Sequence, residues 1–263
     1  MSEWFTQAGH GVRFEWGPVG AGLLAGEAAC LVVVDVLSFT TSVSVAVEAG
    51  TRVFPYRWRD ETAEAFAGKV DARPAVGRSR ATEASPWSLS PAALRRAPFT
   101  PRLVLPSPNG STIAAAAGDG PVIAGSLRNA GAVGRRLVEC GWGTPERPVL
   151  VVASGERWPD GSLRPALEDL LGAGAVISAL RRAGGGGLSP EAALAATAFA
   201  HTSDLTATVA NCASGRELRA SGYDITLATD LDATTTVPVL IDGAFVTPEP
   251  CPRTASSGPG SRP

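Results

Sequence analysis

Short apolar runs alternate with alanine-rich segments through residue 182 of the chain. The apolar runs are rich in β-branched residues and too short to cross a membrane, which is typical of strands buried on both faces of a sheet. They predict strands at residues 31–36, 52–56, 102–105, 122–124 and 149–153. The segments between and after them predict helices at 41–48, 60–69, 110–117, 128–140 and 165–182. Because strands and helices alternate, we expect a three-layer α/β/α fold with a largely parallel or mixed sheet.

The pattern becomes less regular after a glycine run at residues 184–187. Ser189-Pro190-Glu191 then carries the cap, proline and acidic signals of a new helix. We expect more helix to about Ala220 and strands at 225–228 and 237–241. These strands either close the same sheet or form a small subdomain from about residue 184. We expect one α/β domain over residues 1–246 and, because Pro, Ser and Gly dominate beyond it, a disordered tail over 247–263.

Composition and charge narrow the class of partner. The 263 residues are 44% hydrophobic, and 23 Lys and Arg are balanced by 25 Asp and Glu. No basic stripe interleaves with aromatic residues, so we expect no nucleic acid partner and instead a small anionic metabolite. The amino-terminal residues lack the basic and apolar regions of a leader or anchor, so we expect a cytoplasmic protein without a membrane partner. A homodimer is compatible with the sequence.

Cysteine and histidine usage disfavours several hydrolase classes. The four cysteines are widely scattered and form no C-x-x-C pair, so we expect reduced thiols. The two histidines belong to no H-E-x-x-H motif, which argues against a zinc hydrolase and weakens a Ser-His-Asp interpretation.

The first candidate site follows the apolar run that begins at Cys30. Asp35 stands where the predicted strand ends, and Thr40 and Thr41 stand where the next helix begins. The two hydroxyls could cap that helix or receive an anion, and Asp35 could hold a cation. An anion beside a metal ion indicates phosphate chemistry.

Two later segments repeat this strand-then-polar-turn design. Glycine and hydroxyl groups at a helix start can grip phosphate or sulfonate oxygens, although an Asx turn or a helix cap has the same sequence signature. Arg128 could clamp an oxyanion or be an ordinary surface arginine. The candidate residues are Asn109, Gly110, Ser111, Thr112, Ser126, Arg128 and Asn129.

Two groups of carboxylates are further candidates. Glu168 and Asp169 interrupt a small, apolar helix, and they either reach one pocket or form a solvated face. Asp224, Asp230 and Asp232 precede the last predicted strand, where they could ligate magnesium or serve as solubilising turn residues.

Taken together, these segments resemble the 2-phosphosulfolactate phosphatase family. VVVDVLSFTTSVSVAV, PNGSTI, GSLRNAGAV, ALEDLLGAGA and YDITLATDLDATTTVPVL occur in the family's order and spacing, over roughly residues 30–241. The resemblance implies a three-layer α/β fold and a magnesium-dependent phosphatase that acts on a small sulfonated phosphoester in coenzyme M biosynthesis. The positions that match the family's motifs are Asp35, Thr40, Thr41, Asn109, Gly110, Ser126, Asn129, Glu168, Asp169 and Asp232.

The chain also departs from the family pattern. The family usually has arginine at the position of Ser38 and an aromatic residue at that of Arg128, so we expect Arg128 to replace the lost cation. The family's glycine-rich segment is degraded at residues 85–91, and residues 157–164 form an insertion. These departures affect the expected substrate more than the expected fold.

The expected mechanism rests on positioning and electrostatics. Mg²⁺ held by some of Asp35, Glu168 and Asp169 is expected to neutralise charge on the phosphate. We assign catalytic roles to Asp35, Asn109, Arg128, Asn129 and Glu168, and substrate binding to Thr40, Thr41, Gly110, Ser111, Thr112 and Ser126. Either a water molecule or an aspartyl carboxylate could attack.

Two alternatives differ in class. A haloacid-dehalogenase-type phosphatase needs a second aspartate two positions after the first, where this chain has Leu37. A catalytically weakened metabolite-binding protein of the same fold is favoured by Ser38 and by the degraded glycine-rich segment.

Overall fold

Two blocks of parallel strands, joined by an antiparallel hairpin, form a nine-stranded mixed sheet. The computed structural model describes residues 3–58 and 60–251. The strands of this sheet are β1 (Val12–Trp16), β2 (Cys30–Val34), β3 (Arg52–Tyr56), β4 (Arg73–Pro74), β5 (Arg102–Pro106), β6 (Val122–Gly125), β7 (Val149–Ala153), β10 (Val239–Ile241) and β11 (Ala244–Val246). A separate two-stranded hairpin consists of β8 (Glu156–Arg157) and β9 (Leu163–Arg164).

Helices cover both faces of the sheet. They are α1 (Gly17–Leu24), α2 (Phe39–Glu48), α3 (Glu61–Lys69), α4 (Pro91–Arg96), α5 (Gly110–Ala114), α6 (Ala130–Glu139), α7 (Leu167–Arg182), α8 (Pro190–Ala200), α9 (Leu205–Asn211), α10 (Ala213–Ala220) and α11 (Thr226–Thr229).

The strand order is β1-β7-β2-β6-β10-β11-β3-β5-β4. The block β1, β7, β2 and β6 is parallel, and so is the block β3, β5 and β4. The hairpin β10–β11 lies between the blocks and pairs antiparallel with each, through Val239 and Ile123 on one side and Phe245 and Val53 on the other. The late strands therefore belong to the same sheet.

The side chains of β2 show how the three layers form. Val32 and Val34 pack in a cluster with α6, α7 and α8, whereas Leu31 and Val33 pack in a cluster with α1, α2 and α5. All four are at most 1% exposed. Because successive side chains of a strand point to opposite faces, this continuous apolar run is buried between two helical layers, and the predicted α/β architecture is confirmed.

One predicted strand is wrong. Residues 225–228 were expected to be extended, but Thr226–Thr229 is the short helix α11. The Asp224 carboxylate accepts the Thr226 N–H at 2.9 Å, and the Thr229 hydroxyl donates to the Thr226 carbonyl at 3.0 Å. These local bonds favour a helical turn over the β preference of the side chains.

The expectation of four reduced cysteines is also wrong. Cys140, at the end of α6, forms a disulfide with Cys251, with Cα atoms 5.2 Å apart, whereas Cys30 and Cys212 are free and buried. The partners are 111 residues apart in sequence, so their spacing carries no signal of the fold that joins them. Most of the predicted tail, residues 252–263, lies outside the described residues. None of the helices in the described ranges is long and apolar enough to cross a membrane.

Candidate active site

A cavity of about 480 Å³ lies beside the carboxyl ends of β2 and β5. Within the sheet, β2 and β5 run antiparallel to each other. Because neighbouring strands rotate by about 20–25°, the steps from β2 to β5 add up to about 110° of twist, so the carboxyl ends of these two strands can lie beside the same cavity. Three arginines and three carboxylates line this cavity: Arg78, Arg157, Arg164, Asp35, Glu156 and Glu217. The chemistry-bearing side chains therefore come from five separate segments of the chain.

Asp35 is held in the turn between β2 and α2. Its Oδ1 accepts the Phe39 N–H at 3.0 Å, and its Oδ2 lies 3.5 Å from the Ser107 hydroxyl at the end of β5. A Cβ at Gly110 would stand 2.3 Å from the Phe39 ring and 2.9 Å from Asp35 Oδ2, so glycine is required there. Asp35 is 9% exposed, and neighbours from α2, from α5 and from the end of β5 surround its carboxylate at the cavity wall.

Thr40 and Thr41 are both fully buried at the start of α2. The Thr40 hydroxyl donates to the Asp35 carbonyl and accepts the Asp35 N–H, at 2.8 and 3.0 Å. The Thr41 hydroxyl donates to the Val36 carbonyl at 2.8 Å. Neither side chain lines the cavity or caps α2; both hydroxyls instead bond the backbone of the turn between β2 and α2.

Asn109 lines the cavity at the start of α5. Its amide group donates to Glu156 Oε2 at 3.3 Å, and its Oδ1 accepts from Arg157 Nε at 3.2 Å. The hydroxyl of Thr112 instead donates to the Pro108 carbonyl at 2.6 Å, and Ser111 is buried. Within this predicted segment, Asn109 therefore reaches the cavity while its neighbours build the turn.

Ser126 and Asn129 form a reciprocal cap after β6. Asn129 Oδ1 accepts the Ser126 N–H at 2.9 Å, and its amide donates to the Ala124 carbonyl at 3.1 Å. Both residues are fully buried and neither lines the cavity. This pair joins β6 to α6 and supports the sheet rather than the cavity wall.

Arg128 lies outside the cavity, which corrects the expectation that it replaces a cation at Ser38. Its guanidinium is 1% exposed, bonded to Glu48 at 3.1 Å and 3.8 Å from Asp230. The guanidinium that contacts Ser38 belongs to Arg78, which donates to the Ser38 hydroxyl and, at 2.8 Å, to the Leu89 carbonyl.

Glu168 and Asp169 lie buried in the first turn of α7. Asp169 accepts the N–H groups of Val36 and Gly155, at 2.7 and 2.9 Å, so it ties the ends of β2 and β7 together. Glu168 accepts a hydrogen bond from the Cys212 thiol at 3.1 Å. Burial, followed by the charges of Asp35 and Glu168, raises the pKa of Asp169 well above its ordinary value.

Glu156 is a functional candidate that the sequence analysis missed. It follows β7 closely and lines the cavity beside Asn109. Burial, and then the negative charges of Asp35 and Glu168, raise the pKa of Glu156 to about 7, against a smaller opposing effect of Arg164. A carboxyl that carries its proton near neutral pH can donate it during a reaction.

The acidic residues bear on magnesium binding. In the described ranges, no three His, Cys, Asp or Glu side chains are grouped closely enough to form a metal site by themselves. Magnesium needs fewer protein ligands, because it usually keeps several waters and takes one or two carboxylates plus substrate phosphate. Burial, and then the negative charges of neighbouring carboxylates, raise the pKa values of Glu156 and Asp169. Asp35 and Glu156 line the cavity, whereas Glu168 and Asp169 lie behind it, so the residues present fit a magnesium ion held mainly by Asp35.

The family model of 2-phosphosulpholactate phosphatase matches residues 23–243. The chain belongs to this family. Its members are phosphoric monoester hydrolases, and every residue of the cavity described above falls inside the matched range. A search of curated proteins finds no match.

Two segments in which we expect departures from the 2-phosphosulpholactate phosphatase pattern lie at the cavity. Residues 85–91, the degraded glycine-rich segment, supply Leu89, which lines the cavity and whose carbonyl holds Arg78. The insertion at residues 157–164 is the turn and second strand of the β8–β9 hairpin, which forms another part of the wall. Both segments therefore contribute to the lining of the cavity that contains Asp35.

The three late aspartates have structural partners in this phosphatase. Asp224 caps α11 and Asp230 lies near Arg128. Asp232 Oδ1 accepts the Gly131 N–H at 2.6 Å at the start of α6. None of the three lines the cavity, which favours their turn and capping roles over magnesium ligation.

Proposed function

We propose that this chain is a magnesium-dependent phosphatase that hydrolyses a small acidic phosphomonoester, with 2-phosphosulfolactate as the expected substrate and sulfolactate and phosphate as products. The observation that carries the proposal is the fixed Asp35 carboxylate in one cavity with the guanidinium groups of Arg78, Arg157 and Arg164. Such a protein would act in the cytoplasm, on the route to coenzyme M.

The three guanidiniums favour a substrate with more than one acidic group. Arginine binds phosphate, sulfonate and carboxylate oxygens through pairs of N–H groups, and such charge-assisted bonds are about twice as strong as neutral ones. A volume of about 480 Å³ suits a small metabolite. The cavity's charge and size together support a short, multiply charged ester.

Asp35 is the residue we propose to hold magnesium, with the buried carboxyl groups of Glu168 and Asp169 behind it. Its carboxylate is already oriented by the Phe39 N–H, so binding requires little reorganisation. Bound magnesium would supply neutralisation of charge on the phosphate oxygens. Asn109 and Arg78 would orient the ester from either side.

Glu156 is proposed to hold the proton that the leaving alkoxide needs. Its pKa of about 7 keeps a substantial protonated fraction at neutral pH, and Asn109 orients its Oε2. Protonation of the leaving oxygen typically contributes about 10²–10⁴-fold to such reactions. Arg164, its neighbour across the β8–β9 pair, limits the rise of the pKa.

The competing function is a metabolite-binding protein without turnover. It is favoured by Ser38 and by the altered 85–91 segment, both of which change residues that the family pattern places at the site. A haloacid-dehalogenase-type mechanism has less support, because Leu37 stands where its second aspartate is required.

Phosphate release is the decisive assay. Purified protein is incubated with 2-phosphosulfolactate and other small phosphoesters, with magnesium and after exhaustive chelation. We expect release with magnesium only, and at least about 100-fold less from Asp35→Asn, since loss of one preorganised electrostatic contact has this effect. The control is Asp119→Asn, which changes an exposed turn. Full activity after chelation would disprove the metal dependence, and tight binding without release would establish the binding protein.

A further inference from the structure

The hairpin β8–β9 forms one wall of the cavity. Glu156 pairs with Arg164 across it, and the Trp158 N–H donates to the Ser162 carbonyl at 2.9 Å to close the turn. Its base is packed tightly, since a Cβ at Gly155 would stand 2.7 Å from the Leu163 side chain. These contacts set the register of the hairpin and bring Glu156, Arg157 and Arg164 to the cavity lining.

The hairpin presents two guanidiniums whose hydrogen-bond partners are neutral. Arg157 donates to Asn109 Oδ1 at 3.2 Å and to the Gly161 carbonyl at 3.0 Å. Arg164 donates to the Ser214 hydroxyl at 3.2 Å and lies over the ring of Trp158 at 5.8 Å. Amide, carbonyl and hydroxyl partners orient a guanidinium without neutralising it, so the Arg157 charge remains available to an anion, while the Arg164 charge also lowers the pKa of Glu156.

A third guanidinium lines the cavity from a separate segment of the chain. Arg78 donates to the Ser38 hydroxyl, in the turn that follows Asp35, and to the Leu89 carbonyl. The cavity thus has one guanidinium bonded to the turn that carries Asp35 and two guanidiniums on the hairpin. A substrate with two acidic groups would match this arrangement.

We propose that Arg157 and Arg164 of the β8–β9 hairpin bind the non-transferred acidic group of the substrate, a carboxylate or a sulfonate, while the phosphate lies near Asp35 and Arg78. The assignment rests on the proposed phosphatase function and adds to it a specificity element that lies largely in the insertion at residues 157–164. It makes the hairpin the part of the protein that distinguishes multiply acidic esters from simple ones.

The test compares two esters that differ in one acidic group. Glycerol 3-phosphate and 3-phosphoglycerate have the same length, and only the second carries a carboxylate; 2-phosphosulfolactate adds the sulfonate. The variants are Arg157→Met and Arg164→Met, which keep an unbranched apolar stem without the guanidinium charge. The control is Arg216→Met, an exposed residue of α10 outside the cavity lining.

We expect each hairpin variant to raise KM about 10- to 100-fold for 3-phosphoglycerate or 2-phosphosulfolactate, as loss of a charge-assisted bond does. The loss of kcat/KM should be at least about tenfold larger for these acidic esters than for glycerol 3-phosphate, and the control should change none of the esters. An equal loss on both kinds of ester, or no loss on either, would overturn the assignment. A larger effect on one acidic ester identifies sulfonate or carboxylate as the preferred group.

Binding measurements separate this proposal from the proposed phosphatase function. If the wild-type protein releases no phosphate, calorimetric titration of sulfolactate and 3-phosphoglycerate is repeated with the same variants. Weaker binding by at least 10-fold in Arg157→Met or Arg164→Met would support the hairpin although the phosphatase assignment has failed. Unchanged binding would reject both. Thermal unfolding of each variant shows whether its fold is intact, and Arg157→Lys, which retains the charge, should recover part of the loss.

Discussion

Replacement of Glu156 by glutamine should stabilise the protein at alkaline pH more than at acidic pH. Burial and neighbouring carboxylates raise the pKa of Glu156 from its ordinary value of 4.5 to about 7. The folded protein therefore binds this proton more tightly than the unfolded chain. Stability contributed by the protonated group is present below about pH 4.5 and is lost as the pH rises through 7. Glutamine keeps the shape and a carbonyl oxygen for the bond from Asn109, but it does not titrate.

The magnitude follows from the two pKa values. Each pKa unit corresponds to about 1.4 kcal/mol, so the full difference sets an upper bound of about 3 kcal/mol. Glu156 retains some contact with solvent, which screens part of this interaction, so we expect about 1–3 kcal/mol. The free energy of unfolding of Glu156→Gln, relative to that of the wild type, should therefore rise by this amount between pH 5 and pH 8.

Urea unfolding at several pH values between 5 and 8 measures this gain directly. The matched control is Glu83→Gln, which changes an exposed loop residue and should show no such trend. A constant difference between Glu156→Gln and wild type across the whole range would refute the argument that Glu156 is protonated by its surroundings. If Glu156→Gln gained stability over the wild type at acidic pH instead, the inferred direction of the Glu156 pKa shift would be wrong.

Three further substitutions test the architecture around the cavity. Arg128→Met removes the buried guanidinium that bonds Glu48, so the free energy of unfolding in urea should fall by about 1–3 kcal/mol while KM stays unchanged. A raised KM with unaltered stability would show instead that Arg128 contacts the substrate. Gly110→Ala should abolish most phosphate release or destabilise the fold, whereas Gly22→Ala, with open space around it in α1, should be harmless. Asp169→Ala leaves two buried N–H groups without an acceptor and should cost about 2–4 kcal/mol; a near-neutral result would show that water replaces the carboxylate.

The central strands and Asp35 could be predicted because their signals are local. The run from Cys30 to Val34 is apolar on both faces, which only a covered strand satisfies, and Asp35 follows directly. The strand β1, Val12–Trp16, was missed because Arg13 and Glu15 interrupt its apolar residues at the sheet edge.

The cavity wall could be predicted only in part, because its members meet through the fold. Arg78 begins a single 3-10 turn, Arg78–Arg80, in a segment with no periodic pattern, and nothing local indicates that it reaches Ser38. Glu156 and Ser107 closely follow β7 and β5, so the rule that selected Asp35 could have identified them. The hydroxyls of Thr40 and Thr41 show the opposite difficulty, since a helix cap and an anion site require the same residues at the same place.

The position of the β10–β11 hairpin has a consequence for how the chain folds. Its strands, residues 239–246, separate the two parallel blocks, and the other partners in those ladders come from much earlier in the sequence. Contacts between such distant segments are slow to form, because a long loop must close before they stabilise anything. During synthesis, β2, β6 and β7 can associate as soon as they emerge, but the ribosome must deliver almost the entire chain before one continuous sheet exists.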